Sequence, residues 1–143
     1  MAPAGNSHDP RGSAPKAPRG PLDTIRGSCH CGAVSFAYSG RPSYLTSCNC
    51  AVCRRYGALW AYGDTGSIRL QAQPGLSTPY IHGDRTLAFH HCARCGGLTH
   101  WAALAPENGI WRVAVNMRMA EPDIVSRLRI RHFDGAESFA YLD

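Results

Sequence analysis

The sequence lacks the long apolar runs that a membrane protein or a secreted precursor needs. No stretch approaches the roughly 18 consecutive apolar residues of a membrane span. Residues 1–26 also lack the apolar core of a secretory signal and the apolar stripe of a transit peptide, being rich in Pro, Gly and Ala with scattered Arg. We therefore expect a soluble, cytoplasmic protein with a disordered tail over residues 1–26 and one domain over residues 27–143.

Charged residues are also scarce, at 17% of the chain, and the formal net charge is +5 with every cysteine counted as a neutral thiol. If all seven cysteines bound two zinc ions as thiolates, the charge would change by −7 and +4, which leaves +2. The tail carries four basic and two acidic residues and accounts for this +2. The remaining domain is then close to neutral, which disfavours a nucleic-acid partner.

What the sequence does contain is seven cysteines in three tight clusters: Cys29-x-Cys31, Cys48-x-Cys50-x-x-Cys53 and Cys92-x-x-Cys95. A disulfide framework would need an oxidising compartment and preferably an even number of cysteines, and neither is indicated. The two pairs, here called the four-cysteine cluster, can close a four-thiolate zinc site. The middle group, here called the triple cluster, leaves the fourth position of zinc free. Because closed zinc sites are structural and open ones catalytic, we predict one zinc ion of each kind.

Each cluster has a competing interpretation. The two pairs could be buried free thiols or a redox pair. A structural zinc is favoured, because one ion bound by both pairs would tie the first strand to a strand about sixty residues later. The triple cluster contains a Cys-x-x-Cys that is compatible with disulfide exchange, but the additional Cys48 and the absence of a βαβ pattern favour zinc. The triple cluster could also be a second structural site that is completed by a distant histidine. The candidates for this ligand are His90, His91 and His100.

Alternating apolar and polar residues indicate short β-strands. The clearest example is Gly32–Tyr38, where Val34, Phe36 and Tyr38 fall on one face. Further strands are predicted at residues 58–62, 67–70, 87–91, 98–103, 111–115 and 128–133. Only residues 50–56 and 116–120 could form a helical turn or two. We predict one all-β domain of short antiparallel strands, with little helix and with the cysteines in loops.

Three segments resemble the glutathione-dependent formaldehyde-activating enzyme family, whose relatives include centromere protein V. They read GSCHCGAVSF from Gly27, CNCAVCRRYGA from Cys48 and CARCG from Cys92. The resemblance covers nearly everything from Arg26 to the C-terminus and implies a tent-like all-β fold. It also implies a structural zinc on Cys29, Cys31, Cys92 and Cys95, and a catalytic zinc on Cys48, Cys50 and Cys53.

The family reaction joins the thiol of glutathione to formaldehyde and gives S-hydroxymethylglutathione. The resemblance therefore implies a zinc-dependent carbon–sulfur lyase of the S-(hydroxymethyl)glutathione synthase type, with a related thiol or aldehyde allowed. Three thiolate ligands make zinc a weak Lewis acid, so its expected task is to capture and position the substrate thiol. The alternatives are a non-catalytic zinc module that binds glutathione or carries aldehyde adducts, and a chromatin-type partner by analogy with the centromere relative.

Arg54 and Arg55 follow the triple cluster directly and are the candidates for binding the carboxylates of glutathione, since guanidinium binds carboxylate bidentately. A solvated pair on a loop is the competing interpretation. Trp60 is expected in the core, with a place in the pocket wall as the alternative. Tyr56 is a second candidate for that wall.

Other residues outside the cysteine motifs are less informative. His100 and Trp101 alternate on a predicted strand, so one of them is expected to be buried. Two departures from the family pattern, His91 before the last cysteine pair and residues 117–122, could alter the substrate pocket while sparing the metal ligands.

Overall fold

The structure, a computed structural model, describes residues 23–143. Within this range the chain is mostly β, which confirms the predicted fold class. The strands are β1 Thr24–Ser28, β2 Val34–Ser39, β3 Leu45–Cys48, β4 Trp60–Asp64, β5 Ile68–Ala72, β6 Ser77–Tyr80, β7 Leu87–Cys92, β8 Leu98–Ala103, β9 Arg112–Asn116, β10 Ile130–Asp134 and β11 Ala140–Tyr141. The helices are α1 Ala51–Tyr56 and α2 Pro122–Val125, and Met117–Met119 forms a 3₁₀ turn. No helix in the described range is long and apolar enough to cross a membrane.

The strands form two sheets. The smaller sheet has the order β1-β2-β5, and the larger has the order β11-β10-β3-β4-β9-β8-β7-β6. Neighbouring strands are antiparallel except β3 and β10, which run parallel and place Phe133 opposite Cys48. This pair brings the C-terminal segment beside the triple cluster.

One apolar cluster takes residues from both sheets. Ile25, Phe36 and Ile68 come from the smaller sheet, and Leu45 and Val115 come from the larger one. Val34, Phe36 and Tyr38 are all buried, whereas the residues between them are half-buried, so the predicted inner face of β2 is confirmed.

Every predicted strand exists, with ends that differ by at most two residues. Strands β1, β3, β6 and β11 were not predicted; they have two to five residues, too few for a clear alternation. Strand β1 begins at Thr24 and so includes residues 24–26, which the sequence analysis assigned to the tail. Residues 1–22 of the predicted tail lie outside the described residues.

Candidate functional site

The four-cysteine cluster joins two distant turns of the chain. Cys29 and Cys31 lie in the turn between β1 and β2, while Cys92 ends β7 and Cys95 lies in the turn that follows. The Sγ atom of Cys31 is 3.7 Å from Cys29 Sγ and 3.6 Å from Cys92 Sγ. Sulfurs around a tetrahedral zinc, with Zn–S of about 2.3 Å, are about 3.8 Å apart, whereas a disulfide bond is about 2.05 Å long. The spacing therefore fits a metal ion.

Backbone N–H groups point at these sulfurs. Cys92 Sγ accepts from the N–H of Arg94 at 3.3 Å and from that of Cys95 at 3.5 Å. Cys29 Sγ accepts from the N–H of Val34 at 3.3 Å. The N–H of Cys95 is the main cause that lowers the pKa of Cys92. Such bonds favour the thiolate form that a metal requires and hold each sulfur in place.

The triple cluster is built where β3 passes into α1. Cys48 ends β3, Cys50 is the N-cap of α1 and Cys53 lies within the helix, with their sulfurs all within 4.8 Å of one another. Cys50 Sγ accepts from the N–H of Cys53 at 3.5 Å. Gly57 ends the helix in the left-handed conformation, at φ 63°. The prediction that loops carry the cysteines is therefore wrong for Cys48 and Cys92, which end strands, whereas the helical turn predicted at residues 50–56 is confirmed as α1, which contains Cys53.

Trp60 connects the triple cluster with the core. Its side chain is 1% exposed, which confirms the expected core position. Its indole N–H donates to Cys53 Sγ at 3.4 Å. Burial raises the pKa of Cys53 above its usual range. The pKa of Cys50, the first cysteine of the same Cys-x-x-Cys, is instead lowered, because desolvation is outweighed by hydrogen bonds led by that from the N–H of Cys53.

The turn over residues 134–139, here called the C-terminal turn, closes over the triple cluster. Asn49 Nδ2 donates to Asp134 Oδ1 at 2.9 Å, and Asn49 Oδ1 accepts from the N–H of Ala136 at 3.0 Å. The bond from Asn49 is the main cause that lowers the pKa of Asp134 to about 2. A β-carbon on Gly135 would lie 2.6 Å from Cys48 Sγ. Only glycine therefore allows the turn to lie this close to Cys48. The sequence Asp134-Gly135 is typical of a turn but does not indicate this steric role.

A cleft of about 660 Å³ opens beside the triple cluster, and all three of its cysteines line it. Most of the other lining side chains are aromatic or aliphatic: Val52, Trp60, Tyr62, Leu87, Phe89, Trp101, Phe133 and Phe139. Polar side chains are few, namely His82, Asp84, Thr86 and Arg112. The site thus combines three thiols with a largely apolar cleft that contains one arginine.

The family model described as glutathione-dependent formaldehyde-activating enzyme matches residues 24–123, more than half of the chain. The chain belongs to this family. Membership confirms the resemblance carried by the three cysteine segments and links the protein with glutathione- and formaldehyde-related activity.

This formaldehyde-activating family member is also similar to a solved structure, that of a Rhodobacter sphaeroides protein determined as a structural genomics target. The two share 26% sequence identity with a TM-score of 0.59, over 74% of this chain and 99% of the other. A comparison with curated proteins found no match.

In this family member, Arg112 is the arginine that lines the cleft within the described residues. Its guanidinium lies 5.9 Å from the centre of the Trp101 ring and 4.0 Å from a carboxylate oxygen of Glu107. Arg54 and Arg55 are exposed and are not part of the cleft wall, and their role in substrate binding stays a prediction. Sequence reasoning missed Arg112 because only the pairing of β9 with β8 brings it to Trp101.

The three histidines predicted as possible ligands, His90, His91 and His100, do not join the triple cluster. Within residues 23–143, the groups that could hold a metal consist of cysteines alone, so no histidine completes this site. His100 is 5% exposed, stacks on His90 with ring centres 4.6 Å apart, and has a pKa that burial lowers to about 3. Trp101 is also buried, at 8% exposure, so both residues of the pair are inside rather than one. They lie on β8, an interior strand of the larger sheet.

The two departures from the family pattern lie outside the cleft wall. In the segment 117–122, the Nε of Arg118 donates to the carbonyl oxygen of Gly57 at 2.6 Å. This bond connects the 3₁₀ turn with the end of α1. His91 lies on β7, beside the four-cysteine cluster.

Proposed function

We propose that the triple cluster is a catalytic zinc site at which a thiol, glutathione in the first instance, adds to an aldehyde such as formaldehyde. The observation that carries this proposal is the position of the cluster. Three sulfurs lie together, no fourth ligand from the described residues joins them, and they line a cleft of about 660 Å³. An open zinc site with three protein ligands is the arrangement found in zinc enzymes.

The four-cysteine cluster is proposed to hold a structural zinc. It joins the turn after β1 to the turn after β7, so metal binding there adds directly to folding free energy. Both sites require reduced thiols, which supports the proposed cytoplasmic location.

In the proposed reaction, a carbon–sulfur bond forms between the thiol and the aldehyde carbon. The π electrons of the carbonyl move to oxygen, and the proton lost by the thiol ends on that oxygen, which gives S-hydroxymethylglutathione from formaldehyde. Zinc would supply a position that holds the substrate as a thiolate. The chain provides the rest: the indole N–H of Trp60 orients Cys53, and Gly135 lets the C-terminal turn pack against Cys48.

Arg112 is the proposed binding group for a carboxylate of glutathione. It lines the same cleft as the cysteines, and its guanidinium is held near the face of Trp101. A guanidinium can bind a carboxylate through two parallel hydrogen bonds. Arg54, on the exposed side of α1, offers a matched control with the same charge outside the cleft wall.

The test is zinc content together with exchange NMR of glutathione–formaldehyde adduct formation at matched zinc loading. Wild type should exceed the spontaneous rate, and Cys48→Ala should lose one zinc and the rate enhancement. Arg112→Gln should raise the required glutathione concentration about tenfold and more than Arg54→Gln does. An equal or larger rise in Arg54→Gln would favour the binding role predicted for Arg54 from the sequence. Two bound zinc ions with no enhancement in wild type would refute catalysis and favour a non-catalytic zinc module that binds glutathione or carries aldehyde adducts.

A further inference from the structure

We infer that the aldehyde substrate carries an aromatic group, which the cleft beside the triple cluster binds. This inference rests on the proposed function of that cluster and concerns its substrate class. It starts from a mismatch between the walls of the cleft and the smallest aldehyde.

Formaldehyde is too small to need this cleft. It has two non-hydrogen atoms, and even a water molecule takes only about 30 Å³ in the liquid, against about 660 Å³ here. Glutathione would occupy part of the space. It is a charged peptide, however, and Arg112 is the one arginine that the described cleft wall offers to its carboxylates. The aromatic surface that stays exposed in the cleft, on Tyr62, Phe133 and Phe139, therefore remains without a partner in a reaction between glutathione and formaldehyde.

The back of the cleft is built from two aromatic pairs whose rings are tilted by 40° and 52°, with Trp60, Phe89 and Trp101 almost wholly buried. Trp60 and Phe89 lie with ring centres 6.0 Å apart, and Tyr62 and Trp101 lie with ring centres 6.1 Å apart. All four rings line the cleft. Aromatic faces and edges bind other rings in offset or edge-to-face arrangements, which favours a planar substrate group.

Phe139 gives the strongest indication. Its side chain is 74% exposed although it lines the cleft, and its backbone has φ 54°. A bulky residue in the left-handed region costs about 1–2 kcal/mol, and such strain clusters at ligand-binding positions. Its N–H donates to the carbonyl oxygen of Asp134 at 2.8 Å, in the turn that Asn49 holds. The fold thus holds an exposed aromatic ring at the cleft, where a bound ring would cover it.

The C-terminal wall also lies outside the part of the chain that the family model matches. That match ends at residue 123, whereas Phe133, Gly135 and Phe139 all line the cleft. The family match therefore does not specify this wall, and the substrate class can differ from formaldehyde here. With an aromatic aldehyde the same addition gives a hemithioacetal: one carbon–sulfur bond forms, the carbonyl π bond breaks, and the thiol proton ends on oxygen.

The test uses the zinc-loaded full chain and an unreactive alcohol, so that binding is measured apart from chemistry. Saturation-transfer NMR should detect 2-naphthylmethanol in the cleft and should not detect methanol. Phe139→Ala should weaken binding of the naphthyl alcohol by about tenfold, the value expected for losing about 50 Å² of apolar contact. Phe139→Tyr should keep the affinity. Leu142→Ala is the matched control, because Leu142 is 67% exposed and outside the cleft wall.

Three outcomes separate the inference from the proposed function. No binding of the naphthyl alcohol, or equal losses in Phe139→Ala and Leu142→Ala, would overturn the aromatic substrate class even if wild type accelerates formaldehyde addition. Acceleration of 2-naphthaldehyde addition over the spontaneous rate, lost in Phe139→Ala, would support both. Binding of the naphthyl alcohol without acceleration for either aldehyde would support an aromatic-binding cleft and refute the proposed catalysis.

Discussion

Replacing Gly135 by alanine should remove the metal from the triple cluster and spare the four-cysteine cluster. A β-carbon on Gly135 lies 2.6 Å from Cys48 Sγ and 3.2 Å from Cys50 Cβ. Nonbonded heavy atoms of this kind need about 3.6 Å, so the sulfur or the turn must move by about 1 Å. Gly135 does not have a positive φ, so the effect is steric and not conformational.

The size of the effect follows from the tolerance of a metal site. Metal–ligand distances hold to within about 0.2 Å, and a 1 Å displacement of Cys48 Sγ is about five times that tolerance. Overpacking of this kind costs about 1–3 kcal/mol, and each 1.4 kcal/mol is about tenfold in affinity. The zinc affinity of the triple cluster should therefore fall by about 5- to 140-fold.

Gly97→Ala is the matched control at the other cluster. Its β-carbon would lie 3.4 Å from Cys29 Cβ and 3.6 Å from Cys95 Sγ, which is close to ordinary contact, and Gly97 also lacks a positive φ. The assay is zinc content after dialysis against increasing chelator, with circular dichroism to check the fold. Gly135→Ala should retain one zinc where Gly97→Ala retains two. Identical chelator curves for the two variants would refute the reasoning, and so would loss of both zinc ions from Gly135→Ala.

Three further predictions concern His100, Asn49 and Trp60. In the unfolded chain the imidazole of His100 takes up a proton below about pH 6.5, whereas in the folded chain it does so only near its pKa of about 3. Acidification from pH 7.5 to 5 should therefore lower the free energy of unfolding by about 2 kcal/mol through this residue. At matched zinc loading, urea unfolding should show that the free energy of unfolding depends less steeply on pH in His100→Gln than in wild type. An equal pH dependence would contradict this prediction. Asn49→Ala should raise the pKa of Asp134 from about 2 toward the usual value of an aspartate, as measured by carboxyl NMR titration, and an unchanged pKa would contradict this prediction. Trp60→Phe should weaken zinc binding at the triple cluster about tenfold in chelator competition, and equal affinity would show that the N–H to Cys53 Sγ bond is dispensable.

The grouping of the cysteines could be predicted from the sequence because it depends on local spacing. The triple cluster spans six residues, and a two-residue spacer between Cys92 and Cys95 brings the sulfurs of that pair together without any knowledge of the fold. The alternation in β2 was equally local, since it needs only the residues of one strand.

The walls of the cleft could not be predicted in the same way. Phe133 meets Cys48 through a parallel pairing of strands more than eighty residues apart, and Arg112 reaches Trp101 through the register of β8 with β9. Such registers depend on long-range packing that no local pattern records. Arg54 shows the same limit, because its adjacency to Cys53 along the chain does not reveal that it lies on the exposed side of α1 and outside the cleft wall, and its binding role stays a prediction.

The parallel pairing of β3 with β10 also means that the walls of the cleft are completed later in synthesis than either cysteine cluster. The last cysteine of the triple cluster is Cys53, and the last of the four-cysteine cluster is Cys95. The cleft needs Gly135 and Phe139, which are made forty or more residues after Cys95. A nascent chain can therefore present both sets of thiols to a metal before the C-terminal walls beside the triple cluster form.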